Sequence, residues 1–270
     1  MQITIKFEKS LQENASEYYD KSKKAKKKLA GLEKAVLEME KKITLASEKK
    51  DTAEQSHDLK KKREKQWFEK FHWFNTSEQF LVIAGRDAKS NESLVKKYMD
   101  KSDAYFHAEI FGAPHTVLKT DKKKPKEISL MEAAQFAAIF SRAWKQKLPA
   151  ADVYSVKPGQ VSKSAPTGEA IGTGAFMIYG KRDWFKKTPL EFAVGTNSEG
   201  KIISGPKSAI EKQTKNFIQI EQGEETTGSA AKQIKKILEH KSAKKLDLDE
   251  IISMLPAGGV KLRKNGRHKT

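Results

Sequence analysis

The sequence predicts an α+β protein: a mixed β-sheet domain with packed helices, preceded by a long antiparallel helical coiled-coil hairpin. Three observations carry that reading. A proline-free, Lys/Glu-rich stretch runs from about Asn14 to Lys70 and repeats apolar residues at alternating 4,3 spacing. Composition then turns aromatic and β-branched. Strand-like and helical runs alternate irregularly from there on, which favours α+β over a regular doubly wound fold. The expected division is 1–70 for the coiled coil, 71–206 for the sheet domain, and 207–270 for a strand/helix extension with a basic tail.

The seam reads Tyr18, Ser22, Ala25, Leu29, Leu32, Val36, Met39, Ile43 and Ala46. Its 3.5-residue period holds for about four heptads, with Lys and Glu filling the outer positions. The seam breaks around LASEKKDTAEQ, and a second charged helical stretch leads to KKREKQWFEKF. The second arm is therefore expected to lean back on the first. An arm of about 25 residues is near 40 Å long. The run KKAKKK, Lys23 to Lys28, reads equally as a solvated helix face and as a rod that touches RNA.

In the sheet domain, Phe80 to Ala84 reads as a buried strand, ended by a turn at Gly85 and followed by a helix from Asn91. DAYFHAEIFG and PHTVLK are neighbouring strands around a Gly112–Pro114 turn. After the Lys-rich loop KTDKKKPKE, Ser129 is read as the cap of LMEAAQFAAIFSRAWKQKL. Small and apolar residues cover most of that helix, which predicts burial. ADVYSVKP, TGAFMIYGK, PLEFAVGTN and KIISGP follow as strands. Beyond Pro206 the signal weakens to a strand NFIQIE, helices SAAKQIKKILEHK and DLDEIISML, and a loose basic end.

Charge narrows the function. Lys and Arg total 53 against 35 acidic residues, a formal net charge of +18. A field of that sign attracts polyanions, so nucleic acid is the first partner to expect and an anionic membrane surface the second. No apolar run approaches the roughly 18–20 residues of a membrane span, and the first residues lack the apolar core of a secretory signal. The absence of cysteine excludes disulfides, thiol catalysis and cysteine-ligated metals. A cytoplasmic location is expected.

The candidate chemistry is mostly weak. His107 and Glu109 share a strand face with His115 nearby, but a metal site would need a clearer third ligand. Arg86 and Asp87 lie where a strand hands over to a helix, read equally as a phosphate contact and as a local pair shaping the turn. The stretch QVSKSAPTGEAIGTGAFMIYGKRDW matches neither Walker A nor G-x-G-x-x-G. Gly172 and Gly174 precede a strand, so no helix dipole backs a nucleotide phosphate there. Ser162 beside Lys163 lacks a triad. What remains is a loop carrying hydroxyls and cations, bordered by Lys157, Lys163, Lys181 and Arg182, of the kind that grips sugar–phosphate backbones. Trp184 and Phe185 offer rings for stacking, although a core position is the favoured reading for both.

Three long stretches then resemble one family in its order and spacing. They are KQWFEKFHWFNTSEQFLVIAGRDAKSNESLVKKYM, DAYFHAEIFGAPHTVLK and VSKSAPTGEAIGTGAFMIYGKRDWF. Together they resemble the NFACT-R domain of the NFACT proteins of ribosome-associated quality control, the RqcH and NEMF type. ENASEYYDKSKKAKKKL is similar to the first arm of that family's middle coiled coil, so the resemblance covers roughly Glu13 to Pro206. LPAGGVKLRKNG is similar to the ending of archaeal members. The resemblance implies binding to a large ribosomal subunit that still carries peptidyl-tRNA after stalling, with contacts to rRNA and tRNA. It also implies support of C-terminal tailing, in which the ribosome makes the bond and the protein is not an enzyme. The family's N-terminal NFACT-N part and its helix–hairpin–helix segment have no counterpart in this sequence.

The expected RNA-facing set is Arg86, Asn91, His107, Lys157, Lys163, Thr167, Lys181 and Arg182, with no catalytic residue, cofactor or metal. The partners expected are rRNA and tRNA of the large subunit, together with ribosomal proteins through the coiled coil, and no membrane. The alternative reading is a coiled-coil interaction protein, adhesin-like or scaffold, without specific RNA binding.

Overall fold

The computed structural model describes residues 4–57, 66–165, 171–240 and 245–263, with side chains of the N-terminal helix described up to residue 40. The chain divides into two compact units, Met1–Glu64 and Lys65–Thr270.

The first unit is built on one helix, α1 (Leu11–His57). Its 47 residues make it about 70 Å long. A capping box starts it: the Glu13 carboxylate accepts from the Ser10 N–H at 2.8 Å, and Ser10 Oγ accepts from the Glu13 N–H at 3.3 Å. Asn14 fixes the preceding residues, accepting from the Lys6 N–H and donating to the carbonyls of Lys6, Lys9 and Ser10. The seam residues Leu29, Leu32, Val36 and Met39 are 55–65% exposed. The helix runs through LASEKKDTAEQ without interruption, which corrects the expected break there. Gly and Pro are absent from that segment, so nothing in it stops helical hydrogen bonding. Residues 58–65, where a return arm would begin, lie outside the described residues.

The second unit opens with a one-turn 3-10 helix at Trp67–Lys70. Then come β1 (His72–Asn75), β2 (Leu81–Ala84), α2 (Ala88–Ser93) and a π-turn at Leu94–Tyr98. Next are β3 (Ala104–Ala108), β4 (Thr116–Leu118), α3 (Glu127–Ile139), α4 (Arg142–Lys145) and β5 (Ala150–Val156). A short ribbon, β6 (Val161–Ser162) and β7 (Met177–Ile178), brackets the loop and leads to β8 (Asp183–Pro189). β9 (Phe192–Thr196), β10 (Ile202–Pro206), α5 (Lys207–Gln213), β11 (Phe217–Glu225), α6 (Thr227–His240), α7 (Leu248–Met254) and β12 (Val260–Arg263) complete the chain.

Six strands form one sheet in the order β1-β2-β4-β3-β5-β8, and four form a second in the order β10-β9-β11-β12. The expected mixed sheet is corrected here: every described strand pair is antiparallel. The reason lies in the connections. α2 links β2 to β3, and α3 links β4 to β5, but each such pair is separated by a strand that runs the other way. Residues 207–270 supply two of the four strands of the second sheet.

α3 packs on β3, β4, β5 and β8 of the first sheet and on β10 of the second. Ala133, Ala134, Ala137 and Ala138 are fully buried and let both layers approach, while Phe136 stacks on Phe74 at 4.6 Å. The helix begins two residues before Ser129, with Lys126 at the cap position. Ser129 Oγ instead donates to Glu78 at 2.7 Å and lies 3.1 Å from Thr76 Oγ1, tying α3 to the β1–β2 turn. Glu132, 1% exposed, accepts from the N–H and hydroxyl of Ser77 and from the Ser208 hydroxyl. One buried carboxyl group thus joins the β1–β2 turn, α3 and α5. No described helix is long and apolar enough to cross a membrane.

Replacing Glu132 by Ala removes the buried acceptor of three part-buried donors, a change expected to cost the second unit about 1–3 kcal/mol. Urea unfolding of E132A, compared with E132Q, measures it: E132A is expected to be the less stable of the two.

Candidate nucleic-acid interface

Side chains alternate across a strand, so β3, β5 and β8 each send every second residue away from α3. The paired register aligns His107 with Tyr154, and Tyr154 with Trp184. Their rings make a row: His107 lies 5.8 Å from Tyr154, and Tyr154 lies 5.4 Å edge-on from Trp184. His115, just before β4, extends the row 5.2 Å beyond His107 and meets Phe176 at 5.3 Å. Cations lie over three of these rings. Arg182 covers Tyr154 at 4.5 Å, Lys186 covers Trp184 at 3.9 Å, and Lys163 covers Phe176 at 4.8 Å. The neighbouring row, Ile83, Val117, Tyr105 and Val156, is sealed by Leu94 and Val95 of the π-turn. The face therefore passes from a dry end under α2 to an open end at Trp184, which is 41% exposed.

The loop between β6 and β7 borders this face and is tied down by charge. Lys163 donates to Glu92 at 3.0 Å and to the carbonyls of Gly172 and Ala175 at 2.9 and 3.0 Å. Glu92 also accepts from the Gly174 N–H at 2.7 Å and from Lys96 at 2.6 Å. Lys96, then the Gly174 N–H, then Lys163 hold the Glu92 carboxyl down at about 2. Gly174 has φ +77°, and a Cβ there would fall 2.5 Å from the Ala88 carbonyl oxygen, so only glycine lets the loop reach α2.

His115 closes the anchor. Its Nε2 lies 2.8 Å from the Gly174 carbonyl, which can only accept, so Nε2 carries the proton and Nδ1 accepts from the Tyr105 hydroxyl. Burial, and secondly the neighbouring His107, push the His115 pKa down to about 4. The ring is neutral at pH 7.

The structure sorts the residues expected from sequence. His107, Arg182 and the loop border come together on the open face. Lys157 and Lys181 are exposed, without an acidic partner among the described residues. Gln160 holds their backbones together, accepting from the Lys157 N–H and donating to the Lys181 carbonyl. Arg182 pairs loosely with Glu109 at 3.5 Å. Three others face inward. Arg86 donates to the Phe71 carbonyl, and Asn91 Oδ1 accepts from the His115 N–H. A Cβ on Gly85 would lie 2.0 Å from that same Asn91 oxygen. Lys163 has a partner for each of its three protons. Asp87 caps α2 through the Ser90 N–H at 2.7 Å and forms no ion pair with Arg86. Thr167 falls within 166–170, outside the described residues. Phe185 packs toward the core as expected, but Trp184 does not: it occupies an edge strand on the uncovered face. Tyr154, Lys186 and Glu92 were missed: strand pairing brings β5 and β8 together and so places Tyr154 and Lys186, while Glu92 enters from α2 through its bonds to Lys163 and the Gly174 N–H. Among the described residues no group of three His, Cys, Asp or Glu side chains could hold a metal ion.

Residues 70–180, which carry β1 to β7 and the His115, His107 and Tyr154 part of this face, match the family model described as NFACT protein RNA binding domain. The globular unit belongs to the NFACT family. The NFACT-R domain and its flanks are 41% identical over 214 residues to the archaeal Rqc2 homolog aRqcH of Methanocaldococcus jannaschii, covering 77% of this chain and 31% of that protein. The human ribosome quality control complex subunit NEMF is 39% identical over 176 residues, covering 63% of this chain and 16% of that protein. This chain thus spans a third or less of the length of these two relatives. Among solved structures, the C-terminal part of the fibronectin/fibrinogen-binding protein from Streptococcus suis aligns at a TM-score of 0.38 and 23% identity, covering 48% of this chain and 49% of that one.

Two outcomes follow for the NFACT-R domain. A histidine whose folded pKa is lowered binds fewer protons than its unfolded counterpart, so its contribution is complete above pH 6.5 and is lost as pH falls toward 4. Thermal melts of wild type and H115Q across that range are expected to show a shallower acid decline for H115Q. His72, depressed to about 3 chiefly by burial, keeps the remaining slope. Separately, K163M is expected to speed hydrogen exchange in residues 163–176 while the β3–β5 core amides stay protected, because only the loop's anchor is lost.

Proposed function

We propose that this chain is the coiled-coil and RNA-binding portion of a ribosome-associated quality-control factor. It binds the large ribosomal subunit that carries peptidyl-tRNA after stalling, and it supports C-terminal tailing without being an enzyme. The observation that carries the reading is the aromatic and cationic face built partly from the segment matching an RNA-binding family model and partly from residues 182–186 just beyond it. Two of its relatives are named an Rqc2 homolog and a subunit of the ribosome quality control complex, which supports the ribosome as the place of action. On this reading the protein works in the cytoplasm.

The residues divide by role. Lys157, Lys181 and Arg182 neutralise phosphates, His107 hydrogen-bonds to sugar or phosphate, and Thr167 offers a hydroxyl on the loop between them. Arg86, Asn91 and Lys163 act indirectly by fixing the loop and the β2–α2 turn against the sheet. The seam of α1 is the first arm of a coiled-coil hairpin that reaches rRNA or ribosomal proteins, in a division of 1–70, 71–206 and 207–270.

Co-sedimentation with purified large subunits, with and without peptidyl-tRNA, over a salt series tests this. Pelleting is expected to favour tRNA-bearing subunits and to fall with salt. The K157Q/K181Q/R182Q variant is expected to bind more weakly, with a logarithmic salt slope shallower by roughly 2–3, since each lost phosphate contact removes about 0.7–0.9. Failure of the wild-type chain to pellet at low salt would overturn the reading.

A further inference from the structure

We propose that the open end of this face seats an unpaired nucleobase, stacked on Trp184, with the adjoining phosphates on Lys186 and Arg182. The inference rests on the RNA-binding reading above and adds the form of RNA that the face takes: single-stranded or looped-out, not duplex. Trp184 belongs to an edge strand among Asp183, Lys186 and Lys187, with no further strand paired beyond it in the sheet. Its side chain is 41% exposed, so part of the indole stays open to solvent. Tyr154 meets it in a T-shaped contact, with ring centres 5.4 Å apart and an interplanar angle of 67°.

One face of the indole is held by a cation that is itself easily moved. The Lys186 ammonium sits 3.9 Å from the Trp184 ring centre and 2.8 Å from Asp152 Oδ2, in a pair whose side chains are 60% and 38% exposed. Exposed pairs of this kind are weak. Asp152 stays fixed without Lys186, because the Lys187 N–H donates to its other oxygen at 2.8 Å. A nucleotide that arrives can therefore draw the ammonium to its phosphate and place its base where the ammonium was. Arg182, already stacked over Tyr154, offers a second cation next along the same face. A duplex has no use for this seat, because its bases are stacked on one another inside the helix and only unpaired bases can splay onto an aromatic ring.

The test uses the full chain, a short oligouridylate and a blunt-ended RNA duplex, with affinity and tryptophan fluorescence as readouts. Wild type is expected to bind the oligouridylate with quenching. W184A is expected to lose roughly tenfold or more in that affinity. Its salt slope should be unchanged, since no phosphate contact is removed. W184F retains a ring and is expected to recover most of the affinity, which also controls for folding. Duplex binding should change little in either variant. An oligouridylate affinity of W184A equal to wild type, or an equal loss on both RNAs, overturns the stacking seat and leaves the RNA-binding reading standing. A wild type that binds neither RNA at low salt overturns both.

Discussion

A strand has two faces, and α3 can cover only one of them. On β3, β5 and β8 the residues directed at α3 are committed to the core: Phe106, Ala108, Val153 and Phe185. Everything that the other face does follows from how far its own cover extends. α2 is six residues long and the π-turn five. Leu94 and Val95 of the π-turn seal the row through Tyr105 and Val156, and Tyr154 of the next row is buried in the same cluster. The next row, from His115 through His107 and Tyr154 to Trp184, runs from a 6% exposed imidazole to a 41% exposed indole. The same gradient sets the electrostatics: the histidines under cover are held neutral by burial, while the cations gather at the wet end.

The second constraint is the loop beside that face, which has almost no ladder of its own. It is held by a carboxylate with three donors and an ammonium with three acceptors, meeting at Glu92 and Lys163. A solitary exposed ion pair contributes at most about 1 kcal/mol. Here the pair is reinforced by backbone partners on both sides, and by the His115 bond to the Gly174 carbonyl. The consequence for binding is a separation of tasks. A lysine whose protons are all engaged cannot turn outward without releasing the loop, whereas Lys157 and Lys181 flank it with no such obligation.

Much of this was legible from sequence, and the failures have identifiable causes. The helical character of α1, the buried all-round character of α3 and the strands around Gly112–Pro114 follow from sequence pattern, which the structure keeps. α6 was legible for the same reason, with Ala230, Ala231, Ile234 and Leu238 on its buried face. The break at LASEKKDTAEQ was inferred from a lost seam, but loss of an apolar stripe removes a partner, not the helix. The parallel component of the sheet was inferred from alternating helices and strands, and nothing in composition says that β4 inserts between β2 and β3. Site residues were chosen by type and loop position, which cannot distinguish Lys163, turned inward, from Lys157, turned outward. Trp184 was assigned to the core because large apolar residues usually go there. Only its register with Tyr154 on an edge strand places it on the open face.

Charge alone cannot give this surface selectivity. A chain with a formal charge of +18 attracts any polyanion, and that attraction reaches about a Debye length, far beyond a single contact. Selection has to come from groups that act at contact distance and whose positions are fixed. The cations are poor candidates, because long flexible side chains follow phosphates wherever these lie. The ring row is a better one: three of its members are locked to one another by β-sheet register, and the fourth is pinned through both ring nitrogens. The long-range field then governs how often an RNA is encountered, and the sheet governs which encounters last.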